Sequence, residues 1–134
     1  MDTILFLDDD EDRHRAFKSR IRSLGYLSKY QMIYAYNARF AIEMLEKHEG
    51  VIVQAFLDHD LSEEDQMSKV GAVTKVPTGM TVVDRIVNMS EPPANIIVHS
   101  LNPDAAEEMV KRLVETRRIS VSWVPFTVLL TRLR

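Results

Sequence analysis

The sequence predicts an α/β fold, a three-layer sandwich in which a five-stranded parallel sheet lies between helices. Three observations lead there. Short apolar runs recur along the chain and stop abruptly at polar residues. Amphipathic stretches with helical spacing separate them, and Gly, Pro or Asn mark most of the junctions. Buried strands of a parallel sheet read as near-continuous apolar runs. Their alternation with helices implies parallel strands joined by crossovers on both faces.

Thr3-Ile4-Leu5-Phe6-Leu7 is the first such run and ends at Asp8-Asp9-Asp10. Glu11 to Leu24 follows as a helix, with Phe17, Ile21 and Leu24 on one face and Arg13, Arg15, Lys18 and Arg22 around it. Asp10 suits its N-cap, Glu11 and Asp12 suit its positive end, and Gly25 ends it. Gln31 to Tyr36 reads as the second strand, and Asn37 caps a helix running to about His48 with Ala38, Ala41, Ile42 and Leu45 inward. Gly50 closes it, and Val51 to Leu57 is the third strand.

Residues 62–78 break this rhythm with a long polar connection holding Gly71 and Pro77. A connection of that length inside a compact domain is usually functional or mobile, and a lid is expected here. Past Gly79, Val82, Val83, Ile86 and Val87 restore helical spacing until Glu91-Pro92-Pro93. Asn95 to Val98 is the fourth strand, ending at His99-Ser100. Asn102-Pro103-Asp104 opens a helix with an Asn cap, Pro at its first position and an acid in its first turn. Ser120 to Val124 is the fifth strand, and Thr127 to Arg134 is read as a short last helix.

For five such units the expected topology is flavodoxin-like, strand order 2-1-3-4-5, as one domain over residues 1–134. Its switch point lies between the first and third strands, where ligands of open α/β sheets collect past the strands' carboxyl ends. There Asp8-Asp9 would meet Asp58-His59-Asp60, with His99-Ser100 beside them. A net charge of -3 gives no general attraction to polyanions, so a nucleic acid would need a local basic patch. The basic first helix, with Lys69 and Lys75 in the long connection, is the candidate. The chain has no cysteine, which excludes disulfides, thiolate metal sites and a cysteine nucleophile. No apolar stretch spans a bilayer, and Asp2 is not a signal-peptide flank, so a cytoplasmic protein is expected.

Converging carboxylates make a hard, oxygen-rich site that suits Mg²⁺ or Mn²⁺, with Asp8, Asp9 and Asp58 as the expected ligands. Without a cation they repel, and at least one resists ionisation. Imidazole titrates near neutrality, so His59 and His99 at one rim can act as acid and base. The structural alternatives are helix capping for the aspartates, best for Asp10, and packed or solvated histidines. Asp60 either orients His59 or caps a turn.

At these residues the chain resembles the response-regulator receiver (CheY-like) superfamily. Asp8-Asp9 match its acidic pair, Asp58 its phosphoacceptor and Ser100 its Ser/Thr after the fourth strand. The lysine that receivers carry before a proline after the fifth strand is absent, since Val124 precedes Pro125. That lysine helps hold an acyl phosphate, so little stable phosphorylation is expected. Leu57-Asp58-His59-Asp60-Leu61, His99-Ser100-Leu101-Asn102-Pro103, Trp123-Val124-Pro125-Phe126 and Arg13-His14 resemble a divergent branch, the cyclic-phosphate-processing receiver-like domains. This resemblance implies a metal-assisted phosphoesterase-like domain acting on cyclic phosphate termini of RNA in end processing or repair. His59, His99, Asp58 and Ser100 are then the expected catalytic residues, and Asp60, Asn102, His14 and Arg13 the expected substrate-binding ones. The other reading is a divergent receiver serving as phosphoacceptor or as a non-catalytic module for a protein partner.

Overall fold

A computed structural model of the chain describes residues 1–61, 78–116 and 118–133. Most of the long polar connection, with Lys69, Lys75 and the expected lid, lies outside the described residues. The strands are β1 (Thr3–Leu7), β2 (Gln31–Ala35), β3 (Ile52–Leu57), β4 (Asn95–Val98) and β5 (Ser120–Trp123). Every pairing between them is parallel and the order is β2-β1-β3-β4-β5, as the alternation of elements predicted.

The helices are α1 (Glu11–Ser23), α2 (Ala38–Lys47), α3 (Gly79–Val87), α4 (Pro103–Val114) and α5 (Phe126–Arg132). Caps written in the sequence set most of their starts. Asp10 accepts from the Arg13 amide, Asn37 from Phe40 and Asn102 from Ala105, each filling one orphan donor of a first turn. Thr78 and Thr81 form a reciprocal capping box on α3. Gly25, at φ +76°, takes the left-handed conformation after α1, and a single 3₁₀ turn, Tyr26–Ser28, leads on to β2. The third strand begins one residue later than its apolar run suggested, because Val51 is exposed and its carbonyl instead accepts the Thr3 amide.

The period-2 alternation of the central strands divides the core in two. Leu5, Leu7, Ala55 and Leu57 face α2, α3 and α4, meeting Leu45, Val83, Ile86 and Met109. Ile4, Phe6 and Phe56 face the other side and meet Phe17 and Ile21 of α1 and Leu129 of α5. Phe6, Phe17 and Phe56 are fully buried, and each is worth roughly 1.5–3 kcal/mol of transfer from water. The sheet is therefore covered on both faces, and its carboxyl edge is where polar side chains from several strands can meet. No helix among the described residues is long and apolar enough to cross a membrane.

Candidate functional site

The register levels the strand ends. Leu7 pairs with both Ala35 and Leu57, and Leu57 pairs with Val98. The next residues, Asp8, Asp58 and His99, therefore emerge side by side. Backbone bonds continue the ladder past the strands: the Asp58 amide donates to the Leu7 carbonyl at 3.2 Å and the His99 amide to that of Leu57 at 2.9 Å. Carboxylate oxygens of Asp8, Asp9 and Asp58 lie within 4.8 Å of one another. Asp8 is fully buried and Asp58 nearly so.

Burial and the neighbouring Asp8 charge push the Asp58 carboxyl up to about 7, and the same two causes raise Asp9. Among the clustered carboxylates it is thus mainly Asp58 that resists ionisation. Its Oδ1 accepts the His59 amide at 2.9 Å, which only partly offsets the burial.

The cation inside this cluster is Arg13, one turn into α1. Its Nε donates to Asp8 Oδ2 at 2.8 Å, while Nη2 lies 3.5 Å from Asp9 Oδ1 and 3.8 Å from Asp58 Oδ2. Arg13 was expected to hold substrate. Here it spans all three candidate metal ligands, with its backbone amide held by the Asp10 cap.

Two buried imidazoles support the β1 tip. His14 Nε2 donates to the Asp8 carbonyl at 2.7 Å, and its ring stacks on Tyr36 at 3.8 Å. His99 Nε2 donates to the Leu7 carbonyl at 3.1 Å, and its ring stacks on Phe6 at 5.2 Å. A carbonyl can only accept, so each ring carries its proton on Nε2 and its Nδ1 is a lone pair. Neither Nδ1 has a hydrogen-bond partner among the described residues. The His99 nitrogen lies 3.6 Å from Asp8 Oδ2. Burial holds the His14 imidazolium form down and pushes His99 down to about 4 despite the nearby Asp8 charge.

These positions revise several expectations. His14 is fully buried and His99 is 1 % exposed, so neither touches a substrate at the rim in this arrangement. They hold the two carbonyls that aim Asp8. Ser100, expected to be catalytic, is also fully buried, with Oγ accepting the Asn102 amide at 3.1 Å. Asn102, expected to bind substrate, spends its side-chain oxygen on the Ala105 amide at the start of α4. For Ser100 and Asn102 the reason is local: the chain turns into α4 within a few residues of Val98, and their side-chain oxygens are used in that turn and cap.

His59 differs from the other two. Its side chain is 24 % exposed, and Nδ1 lies 2.7 Å from Asp60 Oδ1. With an acceptor-only carboxylate as partner, Nδ1 carries the proton and Nε2 is the free lone pair. Among the described residues Asp60 pairs with His59; the turn it was alternatively expected to cap runs into residues outside those described. His59 lines an open cleft of about 310 Å³ with Met80, Asp104, Ala105 and Glu108.

Gly79 was read only as a helix start, and the structure gives it more weight. A Cβ there would run into the Asp58 carbonyl and lie 2.7 Å from His59 Cα. Its amide donates to the His59 carbonyl at 3.2 Å, so α3 presses directly on the Asp58-His59 backbone. Residue 78 was read only as the end of the long connection, so neither the Thr78 cap nor this close approach was foreseen. The basic first helix also resolves. Lys18 lies over the Tyr34 ring, Arg20 binds the Leu130 and Leu133 carbonyls, and Arg15 pairs with Asp12 on the surface. Arg13, Lys18 and Arg20, three of the charges that suggested a nucleic-acid surface, are thus engaged within the fold.

The family model described as "Cyclic-phosphate processing Receiver domain" matches residues 3–115. Among solved structures, the non-phosphorylated receiver domain of the stress response regulator RcsB from Escherichia coli superposes with a TM-score of 0.65 at 14% identity, over 97% of this chain and 85% of that one. The signal receiver domain of a Luxo repressor protein from Vibrio parahaemolyticus gives 0.63 at 15% identity, over 97% and 85%. The Mn(2+)-bound form of response regulator Rcp1 gives 0.60 at 15% identity, over 93% and 81%. Likeness at such identities speaks for the fold. No curated protein matches the chain in sequence. The receiver architecture, the aspartates at its β1 and β3 tips and the family match over residues 3–115 agree: the chain belongs to the cyclic-phosphate processing receiver domain family.

Proposed function

We propose that this domain is a divalent-cation-dependent phosphoesterase that opens cyclic phosphate termini of RNA. One observation carries the reading: three carboxylates converge beside a partly exposed, carboxylate-oriented imidazole that lines a cleft. Asp8, Asp9 and Asp58 would hold Mg²⁺ or Mn²⁺. They fit it as a hard oxygen set, and the orphaned Nδ1 of buried His99 faces the same Asp8 oxygen. The Mn(2+)-bound relative supports the choice of ion. The bound ion would neutralise charge on phosphoryl oxygens.

His59 Nε2 takes the proton of the attacking water, and Asp60 fixes the ring and stabilises the imidazolium that forms. The leaving ribose oxygen takes its proton from solvent at the open rim. His99 is not the second half of an acid–base pair, because its ring is sealed against Phe6 and Leu7. It acts by positioning Asp8. Asp104 and Glu108 in the cleft wall would face the substrate away from its phosphate, where carboxylates can accept hydrogen bonds from a base or a sugar.

The test is hydrolysis of nucleoside 2′,3′-cyclic phosphates and of a cyclic-phosphate-ended RNA, with Mg²⁺ or Mn²⁺. The wild type should turn over, and His59→Ala should lose about a hundredfold or more in rate. No turnover by the wild type would overturn the proposal. A gain of one phosphoryl group from acetyl phosphate, abolished by Asp58→Asn, would point to a phosphoacceptor instead. The structure weighs against that outcome, because Val124 is buried in the α1–α5 core layer and brings no cation to Asp58.

A further inference from the structure

We propose that Arg13 is a tethered cation that occupies the Asp8–Asp9–Asp58 cluster until a divalent cation displaces it, and that the freed guanidinium then takes a phosphoryl oxygen of the substrate. The inference rests on the cluster being a metal site, as argued above.

Arg13 Nε and Nη2 reach oxygens of Asp8, Asp9 and Asp58 at 2.8, 3.5 and 3.8 Å. Those three carboxylates themselves close to within 4.8 Å. The guanidinium lies across the oxygens that would ligate an ion, and two cations cannot share so small a space without strong repulsion. His99 supplies a second, independent observation. Its Nδ1 is buried, has no hydrogen-bond partner among the described residues and faces Asp8 Oδ2, 3.6 Å away. A lone pair facing a carboxylate is a poor final arrangement, and Arg13, bound to the same Asp8 Oδ2, does not remove it.

Arg13 is also built to leave. Its backbone is held by the Asp10 cap, whose Oδ1 accepts the Arg13 amide at 3.0 Å, so the side chain can move without unwinding α1. The side chain is 29 % exposed. Asp10 Oδ2 stands 3.8 Å from Nη1 at the outer edge of the cluster, a carboxylate already beside the path outward. A freed guanidinium at that rim is a fork of donors matched to phosphate oxygens. The order that follows is cation first, phosphate second. Before the cation arrives the cluster is partly neutralised and Arg13 is unavailable to phosphate.

The test reads binding, not turnover. Mn²⁺ affinity is measured from the free-ion signal in paramagnetic resonance, and inorganic phosphate affinity is measured at saturating Mn²⁺, for the wild type and Arg13→Gln. The expected result is reciprocal. Arg13→Gln should bind Mn²⁺ about tenfold or more tightly, since no charge-assisted bond must be broken, and phosphate about tenfold or more weakly. Equal Mn²⁺ affinities, or phosphate binding unaffected by the substitution, would overturn the proposal. The absence of Mn²⁺ binding in both proteins would overturn the metal site itself. The wild type gives an independent reading by NMR. The Arg13 Nε–H signal should shift, and its exchange with water should quicken, when diamagnetic Mg²⁺ is added. An unmoved signal at saturating Mg²⁺ would also overturn the proposal.

Discussion

Replacing Asp58 with Asn should stabilise the metal-free protein. The side chain is buried next to Asp8, and its carboxyl stays protonated up to about 7 in the fold against an ordinary value of 3.8. Between those values the folded state binds one proton more than the unfolded state, so stability falls as pH rises through that window. A shift of that size costs the fold about 4 kcal/mol once pH exceeds 7. Asn keeps the shape and cannot ionise. In chelator at about pH 8, Asp58→Asn should therefore be more stable than the wild type by up to about 4 kcal/mol, and near pH 4 the two should converge. Water entering the opened cluster and adjustment of Arg13 make that value a ceiling.

His99 acts in the opposite sense. Its imidazole is held down to about 4 from 6.5, so its contribution is complete above 6.5 and is lost as pH falls toward 4, about 3 kcal/mol in all. In the wild type the two titrations nearly cancel on the acid side. In Asp58→Asn the histidine loss should stand alone. Urea unfolding in chelator at several pH values measures both effects. A variant no more stable than the wild type at about pH 8 would refute the reasoning. So would an acid limb as flat as that of the wild type.

Millimolar Mg²⁺ or Mn²⁺ should raise the melting temperature of the wild type by mass action, since the unfolded chain lacks the converged carboxylates. The shift should shrink in Asp58→Asn, and an equal shift in both proteins would place the ion elsewhere. Gly79→Ala should cost roughly 1–3 kcal/mol, because the new methyl meets backbone at Asp58 and His59 that cannot swing aside. It should also weaken Mn²⁺ binding, which resonance titration would show. A variant with wild-type stability would mean that α3 can draw back from the β3 tip.

The sequence by itself determined the elements and their order. Apolar runs such as Thr3–Leu7 and Asn95–Val98 are buried strands because nothing polar interrupts them. Asp10, Asn37 and Asn102 mark helix starts because a short side-chain acceptor satisfies a first-turn amide locally. Those interactions span only a few residues and can be read along the chain. The meeting of Asp8 and Asp9 with Asp58 was legible too, because parallel strands with helical crossovers leave few topologies and one switch point.

Tertiary structure alone decided what each polar residue at that edge does. His59 and His99 look alike in sequence, each following an apolar run. One is exposed beside Asp60, and the other is sealed under Phe6. The difference is register: His99 follows Val98 directly and is level with Asp58, whereas His59 lies one residue further out, and Trp123 from β5 ties the Ser100 carbonyl down at 2.9 Å. Arg13 reads as one charge of a basic helix, yet it lies among carboxylates from two strands, with its backbone amide held by the Asp10 cap. Gly79 reads as a helix start, yet it is the point where α3 touches the Asp58-His59 backbone. Burial, tautomer and close approach depend on residues far apart in the chain, and local pattern carries no record of them.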